Sequence, residues 1–515
     1  MTEAGDLDPA QIARHGDMDD AAFRVAAHAV VDLMADYLAT IEQRPILPPI
    51  APGAVRARLP AAAPEAPEPL ARILDDYRAL IEPNVTHWQH PSFFAYFPST
   101  ASGPGILGEM LMSTLVANAM LWRTSPAATE LEEVTVDWLR QALGLPETFD
   151  GLYTDTASTS SLAALAAARQ AATGDAAAAG LHGARLRIYA SAEAHSSIEK
   201  AGMVLGLGRA GVRRVDVDAA YAMVPEALTA AIAEDRAAGW LPAAVVATVG
   251  TTGSNAVDPV SALAGIAERE RLWLHVDAAY AGVVALLPDR RGPFADWERA
   301  DSIVVNPHKW LFTPLDCSLL LTRRPSLLRD ALSLVPEYLR TTDRAAVHDY
   351  NEYQPQLGRR FRALKMWFIV RYFGLDGLRA RIGEHLELAT RFAAWVDAEP
   401  DAERLAPVPF ATVCFRWHPR GLDDAPILDR LNERLMERLN ATGQVFLSHT
   451  RLDGRFALRL ALGNLRTEPR HVERFWALVR ELAPAVAAEL RDELRDKPGD
   501  DVADGRPEAG DDKGG

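Results

Sequence analysis

LWLHVDAAYAG, residues 272–282, is a strongly apolar run that ends on one acid, Asp277, and continues into small residues. Two other apolar runs lie nearby in the chain, AAVVATVG (243–250) and SIVVNP (302–307). Ala-rich segments with helical character, such as SSLAALAAARQAA (160–172), separate runs of this kind. Strands that alternate with helices predict an α/β fold, in which a mostly parallel sheet is covered by helices on both faces.

The region before this sheet predicts an N-terminal arm. Apolar residues at helical spacing, from Phe23 to Ile41, predict an amphipathic helix. The Pro- and Ala-rich segment 45–69 predicts extended chain, because proline interrupts helices. Such an arm packs either on a second subunit or on its own domain, and the sequence leaves both possibilities open.

The region after the sheet predicts a smaller α/β unit. It contains PFATVCFRW (409–417) and two strand-like runs around an Asp-Gly turn within residues 445–462. The last residues are rich in Asp, Gly and Pro, which predicts disorder. We therefore divide the chain into four parts: a helical and extended arm (1–100), a large ligand-binding domain (101–384), a small C-terminal α/β domain (385–490) and a disordered acidic tail (491–515).

Composition limits the class of protein. The 515 residues are 49% hydrophobic and carry a formal net charge of −16, which argues against nucleic acid and anionic membranes as partners. The two cysteines, Cys317 and Cys414, are far apart and lack metal-ligand spacing, so neither a disulfide framework nor a metal site is predicted. The N-terminus lacks an apolar signal core, and no apolar run approaches the roughly 20 residues of a membrane span. These features predict a cytoplasmic location.

Lysine is rare in the chain, which narrows the search for an amine nucleophile. Lys497 and Lys513 lie in the polar tail, Lys200 is expected to be solvated, and Lys365 is expected to point off an amphipathic helix. Lys309 follows an apolar strand-like run, and ligands of open α/β sheets bind beyond the carboxyl ends of the strands. Apolar neighbours would help its amine to lose a proton, although a surface lysine after a strand is the simpler interpretation.

Three other positions could serve the same ligand. Asp277 could neutralise a cationic group of the ligand or cap the next helix. The segment TDTASTSS (154–161) precedes a helix, where hydroxyl and N–H groups could hold a phosphate. His195 could stack on a flat ring or serve a structural role. These groups follow one another along the chain in the order phosphate loop, histidine, aspartate and lysine. This order favours a common ligand-binding role for all four.

Longer motifs carry a resemblance over about residues 20–485. They are NVTHWQHPSFFAYFPST (84–100), SPAATELE (125–132), AHSSIEKAG, LWLHVDAAYAG, NPHKW and LGRRFRALKMWF (357–368). In these motifs the sequence closely resembles the group II amino-acid decarboxylases that depend on pyridoxal 5'-phosphate (PLP), and most of all the aromatic-L-amino-acid decarboxylases. The resemblance implies the fold of type I PLP-dependent transferases, with a seven-stranded sheet, and PLP as the cofactor.

The resemblance also implies roles for individual residues. Lys309 matches the lysine that holds PLP as a Schiff base, Asp277 matches the partner of the ring nitrogen, and His195 matches the histidine that stacks on the ring. Further cofactor contacts are implied at Thr156, Ala157, Ser158, Thr252, Asn306 and His308, the first three near the phosphate. Substrate contacts are implied at Tyr96, Phe97, Pro98, Ser99, Trp122 and Gly358.

Tyr350 matches the tyrosine of a catalytic loop, here about residues 341–353. In the family this tyrosine is taken to protonate the substrate carbon after CO₂ has left. Relatives that form an aldehyde typically carry Phe at this position, or Asn at the position of His195. The presence of Tyr350 and His195 therefore favours simple decarboxylation.

The resemblance implies an aromatic L-amino acid as substrate, such as tryptophan, tyrosine, phenylalanine or DOPA. Gly358 would leave room for a large ring. Four residues differ from the family pattern or add a charge nearby, which leaves the specificity open: Asn118, Met120, Leu315 and Arg123. Three alternatives remain, namely decarboxylation of an acidic amino acid, aldehyde synthesis and a non-catalytic scaffold. A homodimer is expected, because the family's active sites form between subunits.

Overall fold

The computed structural model describes residues 7–336 and 347–495 of the chain. Its central sheet has seven strands: β1 Asp150–Thr154, β2 Leu186–Ser191, β3 Val212–Val215, β4 Leu241–Thr248, β5 Trp273–Asp277, β6 Ser302–Val305 and β7 Ser318–Thr322. Their order across the sheet is β1-β7-β6-β5-β4-β2-β3. Only β7 runs against the others, pairing antiparallel with both β1 and β6. The prediction of an α/β fold with a mostly parallel sheet is confirmed.

The chain begins with an arm of helices: α1 Pro9–Ala13, α2 Asp20–Thr40, α3 Ala54–Arg58 and α4 Leu70–Asp76. The Asp19 carboxylate starts α2, because it accepts hydrogen bonds from the N–H groups of Ala21 and Ala22. This helix coincides with the predicted one, yet none of its 21 residues is buried within the chain. The next helix, α5 Gly103–Leu115, lies against the large domain.

Both faces of the central sheet are covered by helices. These are α6 Pro126–Ala142, α7 Ala157–Thr173, α8 Ala176–Ala179, α9 Ser197–Val204, α10 Pro225–Ala237, α11 Val260–Glu270, α12 Pro307–Trp310 and α13 Pro325–Leu332. In β4, Val245 and Ala247 pack towards α6, α10 and α11, whereas Ala244 and Val246 pack towards α7, α9 and α13. Since successive side chains of a strand point to opposite faces, a strand buried on both faces is apolar throughout.

The C-terminal part is a second, smaller sheet with helices on it. It is reached through a long helix, α14 Arg362–Ala398, which is kinked at Gly374 and spans the predicted boundary at 384/385. The antiparallel strands are β8 Ala402–Arg404, β9 Thr412–Trp417, β10 Ser448–Leu452 and β11 Arg455–Ala461, and the helices are α15 Ala425–Ala441 and α16 Pro469–Arg495. Asp453 and Gly454 form the predicted turn, both with positive φ. Residues 491–495 continue α16 rather than starting a disordered tail, and the rest of the predicted tail lies outside the described residues.

The expectation that Lys365 points off its helix is wrong. Its side chain is fully buried, and Nζ donates hydrogen bonds to Glu109 Oε2 at 2.7 Å and to the Pro314 carbonyl at 3.0 Å. Gly108 makes room for this packing, since a Cβ at that position would lie 2.8 Å from the Lys365 Cα. The lysine amine is therefore engaged in an internal ion pair between α5 and α14. Of the helices that the structure describes, none is long and apolar enough to cross a membrane.

Candidate active site

Three segments of the chain meet at one edge of the central sheet. β5 ends on Asp277, and β6 is followed by Asn306 and then by α12, which carries Lys309. β5 and β6 are parallel neighbours, with Asp277 opposite Val304, so their carboxyl ends lie side by side. β1 runs in the same direction and leads into α7, whose N-terminus therefore lies at this edge as well.

A cavity of about 200 Å³ opens at this edge. The structure brings together there all nine residues predicted to contact the cofactor: Thr156, Ala157, Ser158, His195, Thr252, Asp277, Asn306, His308 and Lys309. Six more residues complete its lining: Phe97, Ser197, Thr248, Gly250, Ala279 and Tyr280. Phe97 is therefore the one predicted substrate contact among the lining residues.

Lys309 has the electrostatic environment of a reactive amine. Burial lowers the pKa of its amine, while the nearby Asp277 carboxylate acts in the opposite direction and Arg459 adds to the lowering. Its Nζ lies 5.1 Å from the ring centre of Phe97. A lowered pKa increases the neutral fraction of the amine, which is the form that attacks a carbonyl.

Asp277 is a buried carboxylate with room for a cationic partner. Its Oδ1 accepts a hydrogen bond from the Ala279 N–H at 3.1 Å. His275 of the same strand is not that partner, because its ring nitrogens contact the hydroxyls of Ser302 at 2.8 Å and Ser161 at 3.1 Å. Burial lowers the pKa of His275 to about 4, so its ring is neutral. A buried carboxylate in this setting favours a protonated group of a ligand.

His195 lines the same cavity in a defined orientation. Its Nδ1 accepts a hydrogen bond from the Ser197 N–H at 3.2 Å, which leaves the proton on Nε2. Partial desolvation lowers the pKa of His195, so the ring is mostly neutral near pH 7. The side chain remains exposed within the chain, and its flat face is open to a ring bound in the cavity.

The N-terminus of α7 is suited to an anion. Thr156 precedes the helix, and Ala157 and Ser158 are its first residues. The first N–H groups of a helix lack partners within the helix, and the helix dipole makes that end positive. Asn306 adds a buried side-chain oxygen that has no hydrogen-bond partner in the described part of the chain. An anion site, a carboxylate and an amine around one cavity fit the phosphate, the ring nitrogen and the aldehyde carbon of PLP.

The remaining residues of the segment 96–99 surround the cavity without lining it. Tyr96 is exposed and has a φ of 52°, Pro98 is buried, and the Ser99 hydroxyl donates to the His308 carbonyl at 2.5 Å. Ser99 thus supports the start of α12, whereas Phe97 stacks on Tyr280 with ring centres 3.8 Å apart.

Sequence reasoning missed two notable residues of this region. Tyr280 lies within the motif that contains Asp277, and its position three residues after the strand end could have indicated it. Arg459 lies 4.7 Å from the Phe97 ring centre, is buried, and has one guanidinium nitrogen, Nη2, without a hydrogen-bond partner among the described residues. Its strand, RFALRLA, contains no signal that separates it from other strand arginines.

Trp122, Tyr350 and Gly358 are not among the residues that line the Lys309 cavity. They belong to a second group, formed by the segments 118–124 and 349–359. Hydrogen bonds join the two segments, among them the Trp122 N–H to Asp349 Oδ1 at 3.1 Å, the Asn351 N–H to the Met120 carbonyl at 3.1 Å, and the Arg359 N–H to Asn118 Oδ1 at 3.0 Å. The candidate site residues of one chain are therefore divided between two places.

Tyr350 is packed inside its own chain. Its side chain is 3% exposed, the Arg359 guanidinium lies 4.6 Å from its ring centre, and its hydroxyl has no hydrogen-bond partner in the described part of the chain. Burial raises the pKa of Tyr350 well above its usual value. Residues 341–346 of the predicted loop lie outside the described residues.

Comparison with known proteins identifies the family. Residues 52–418 match the pyridoxal-dependent decarboxylase conserved domain. The chain belongs to this family of decarboxylases. Among its relatives, a phenylacetaldehyde synthase of Arabidopsis thaliana is 42% identical over 90% of this chain and 96% of its own length. A tryptophan decarboxylase of Camptotheca acuminata is 40% identical over 90% of this chain and 95% of its own length.

Solved structures agree with this assignment. The crystal structure of Oryza sativa TDC with PLP and tryptamine superposes with a TM-score of 0.89 at 37% identity, over 92% of this chain and all of that one. That of mouse CSAD gives a TM-score of 0.84 at 27% identity, over 90% of this chain and 99% of that one. The expected type I fold is confirmed, and the protein is a decarboxylase that depends on PLP.

Replacement of Lys309 by alanine should abolish covalent attachment of the cofactor. The variant has no amine to condense with the PLP aldehyde, so we expect purified protein to lose its visible cofactor absorbance. Lys200→Ala is the matched control, because that lysine is exposed on α9. A Lys309→Ala protein that still carries borohydride-reducible PLP would contradict the assignment.

Proposed function

We propose that this decarboxylase converts an aromatic L-amino acid to its amine and CO₂. The observation that carries the proposal is the ranking of relatives by substrate class. The structure of Catharanthus roseus tryptophan decarboxylase with L-tryptophan is 36% identical. In contrast, the glutamate decarboxylase domain of diaminobutyrate-pyruvate transaminase and L-2,4-diaminobutyrate decarboxylase from Vibrio parahaemolyticus is 26% identical. The stacked rings of Phe97 and Tyr280 at the cavity support the same substrate class, since they favour a flat apolar side chain.

The cavity residues have separate tasks in this reaction. Bound PLP supplies a conjugated ring that accepts the electron pair of the bond to the departing carboxyl group. Lys309 would hold the cofactor through its side-chain amine. Asp277 keeps the ring nitrogen protonated, His195 fixes the plane of the ring, and the N-terminus of α7 anchors the phosphate.

Arg459 is proposed to attract the anionic substrate. Its buried guanidinium donates hydrogen bonds to the Gly253 and Tyr96 carbonyls, and no ion pair with a carboxylate of the described residues is formed. Its position beside Phe97 places a positive charge next to the cavity in a medium that screens charge weakly. A substrate carboxylate is thereby drawn towards the region in which it must leave as CO₂.

The active enzyme is proposed to be a homodimer. The arm helix α2 leaves Phe23 and Val25 more than half exposed, and Leu107 and Leu115 form an apolar stripe with Leu111 on α5. Exposed apolar side chains that cluster on a helix are typical of a protein–protein interface. A second copy would also bring the group around Trp122, Tyr350 and Gly358 to a Lys309 cavity, which it does not reach in its own chain.

Light scattering should give the mass of a dimer for the full chain, and Leu111→Glu should increase the monomer fraction. The added carboxylate would lose its hydration in the interface without gaining a partner. Val204→Glu is the control, because Val204 is 71% exposed on α9, away from the arm and the α5 stripe. A monomer with full activity would contradict the proposal.

A cytoplasmic location is also proposed. The two cysteines, Cys317 and Cys414, are free and buried, which suits a compartment in which thiols remain reduced. The acidic composition of the chain is consistent with a small-molecule substrate rather than nucleic acid.

One alternative has a specific observation in its favour. Phenylacetaldehyde synthases are among the relatives at 37–42% identity, so the chain as a whole does not exclude oxidative release of an aldehyde. Tyr350 and His195 favour the amine, because a phenol at that position can return a proton to the substrate carbon.

A product screen tests the proposed reaction. Purified protein with PLP would be incubated separately with each common amino acid and with DOPA, and CO₂, amine, ammonia and peroxide would be followed. We expect amine and CO₂ in equal amounts from at least one aromatic substrate, without peroxide. Activity confined to acidic amino acids would refute the substrate class, and aldehyde with peroxide would refute the reaction.

Replacement of Tyr350 by phenylalanine tests the proton donor. The variant keeps the ring but has no phenolic proton, so amine formation should fall by about 10²-fold or more and aldehyde should replace part of it. Tyr353→Phe is the matched control, because Tyr353 lies in the same segment and has no proposed role in proton transfer. An unchanged amine yield from Tyr350→Phe would remove this role from Tyr350.

A further inference from the structure

His348 lies two residues before Tyr350 and sits between two carboxylates of the large domain. Its Nδ1 is 3.1 Å from Glu133 Oε1 of α6, and its Nε2 is 3.8 Å from Asp150 Oδ2 of β1. Its ring also lies 5.8 Å from that of Tyr350. A histidine with a carboxylate at each nitrogen is held most strongly when both nitrogens carry protons.

The segment that contains Tyr350 is thus anchored at both ends. At one end, the Arg329 guanidinium of α13 forms an ion pair with Glu352 at 2.5 Å. At the other end, the anchor is His348, whose charge changes near neutral pH. Among the described residues, the charged and titratable groups that face His348 are Glu133 on α6, Asp150 on β1, Arg329 and Asp330 on α13, and Asp349, Tyr350 and Tyr353 in its own segment.

Between these anchors, Tyr350 is in a position that does not permit proton transfer to a substrate. Its ring fits against Leu152, Pro325 and Leu328, with Arg359 on one face. Its hydroxyl is buried within the chain, so no substrate atom can approach the phenolic proton there. The tyrosine must leave this position before it can act.

We propose that His348 is a positioning residue for Tyr350, whose protonated ring, bound to Glu133 and Asp150, retains the tyrosine in its buried position. Neutral His348 binds the two carboxylates less strongly and releases the tyrosine for proton transfer. This inference rests on the role proposed for Tyr350 in the reaction. Protonation of His348 would thus control the position of Tyr350, the proposed proton donor. This control is separate from the titration of groups in the cofactor cavity.

The direction of the pH effect follows from the environment of His348. The Glu133 carboxylate, 3.1 Å from the ring, raises the pKa of His348, with Asp150 acting in the same direction, although partial burial opposes them. A raised pKa in the retained state means that this state is favoured below the pKa and loses its advantage as pH rises through it. Amine formation should therefore be restrained at lower pH and released at higher pH.

His418 provides a matched control. It too sits between two carboxylates, with Nδ1 at 3.2 Å from Glu403 and Nε2 at 3.5 Å from Asp423. It follows β9 in the C-terminal part and is remote in the fold from the Tyr350 segment. Replacement of either histidine by glutamine removes an imidazole ring that lies between two carboxylates. Only His348 adjoins the proposed proton donor.

The test compares kcat for amine formation between about pH 6 and about pH 9, which spans histidine titration. The ratio of kcat for His348→Gln to that of the wild type should be about two- to fivefold at the low end, since partly exposed ion pairs change an equilibrium by a few-fold. It should approach one at the high end. His348→Lys keeps the positive charge at every pH, so its kcat should remain restrained across the whole range, as that of the wild type is at low pH. For His418→Gln, the ratio of kcat to that of the wild type should stay at one.

A second measurement follows position rather than activity. After correction for the intrinsic exchange rate at each pH, the protection of the peptide that covers residues 347–353 against hydrogen exchange should fall with pH in the wild type and be low at every pH in His348→Gln. The effect on kcat should disappear in the Tyr350→Phe background. A pH-independent kcat ratio, or unchanged exchange in His348→Gln, would overturn this inference while leaving the proposed function intact. An unchanged amine yield from Tyr350→Phe alone would instead overturn the role on which the inference rests.

Discussion

The site depends on burying the Lys309 amine and the Asp277 carboxylate close together, although they act in opposite directions on the pKa of the amine. An amine that must react as a neutral nucleophile needs burial, and burial lowers its pKa. A carboxylate that must hold a cation also needs burial. Its negative charge raises the pKa of the nearby amine and so favours the charged form of that amine. Both groups can be buried together only where two apolar strands end side by side, because there the polar atoms meet while the strands stay covered on both faces.

The same arrangement separates two groups of candidate residues within one chain. The carboxyl edge of the sheet gathers the groups proposed to hold a phosphate, a ring nitrogen and an aldehyde. Trp122, Tyr350 and Gly358 lie instead in the segments 118–124 and 349–359, which are joined to each other by hydrogen bonds and to Glu132 of α6 by Arg359. The buried ion pair between Arg359 and Glu132, at 2.5 Å, connects the Arg359 end of this second group to β1. A second group that is separate from the cavity, together with exposed apolar side chains on α2 and α5, is consistent with the proposal that a second copy completes the site.

Much of the fold and of the cofactor cavity could be predicted from the sequence, because both depend on local patterns. Apolar runs indicated β4, β5 and β6, and the motifs at their ends placed Asp277 and Lys309 at one edge. The burial of the Lys365 side chain could not be predicted, because it depends on contacts with Glu109 and Gly108, which are distant in sequence. The position of Tyr350 could not be predicted either, because its pocket is assembled from β1, α13 and Arg359.

The buried position of Tyr350 bears on how a decarboxylase can resemble an aldehyde synthase over most of its length. The two reactions share the cavity, the amine and the ring, and they differ in whether a proton reaches the substrate carbon in time. A phenol that is buried for part of the time can donate its proton only during the remaining time. The presence of a tyrosine in the sequence alone therefore does not determine how often the proton is transferred. With the role proposed for Tyr350, the outcome of the reaction depends on the equilibrium between its buried and released positions as well as on its identity. Groups outside the cavity, such as those that hold residues 348–352, can influence that equilibrium without contacting the substrate.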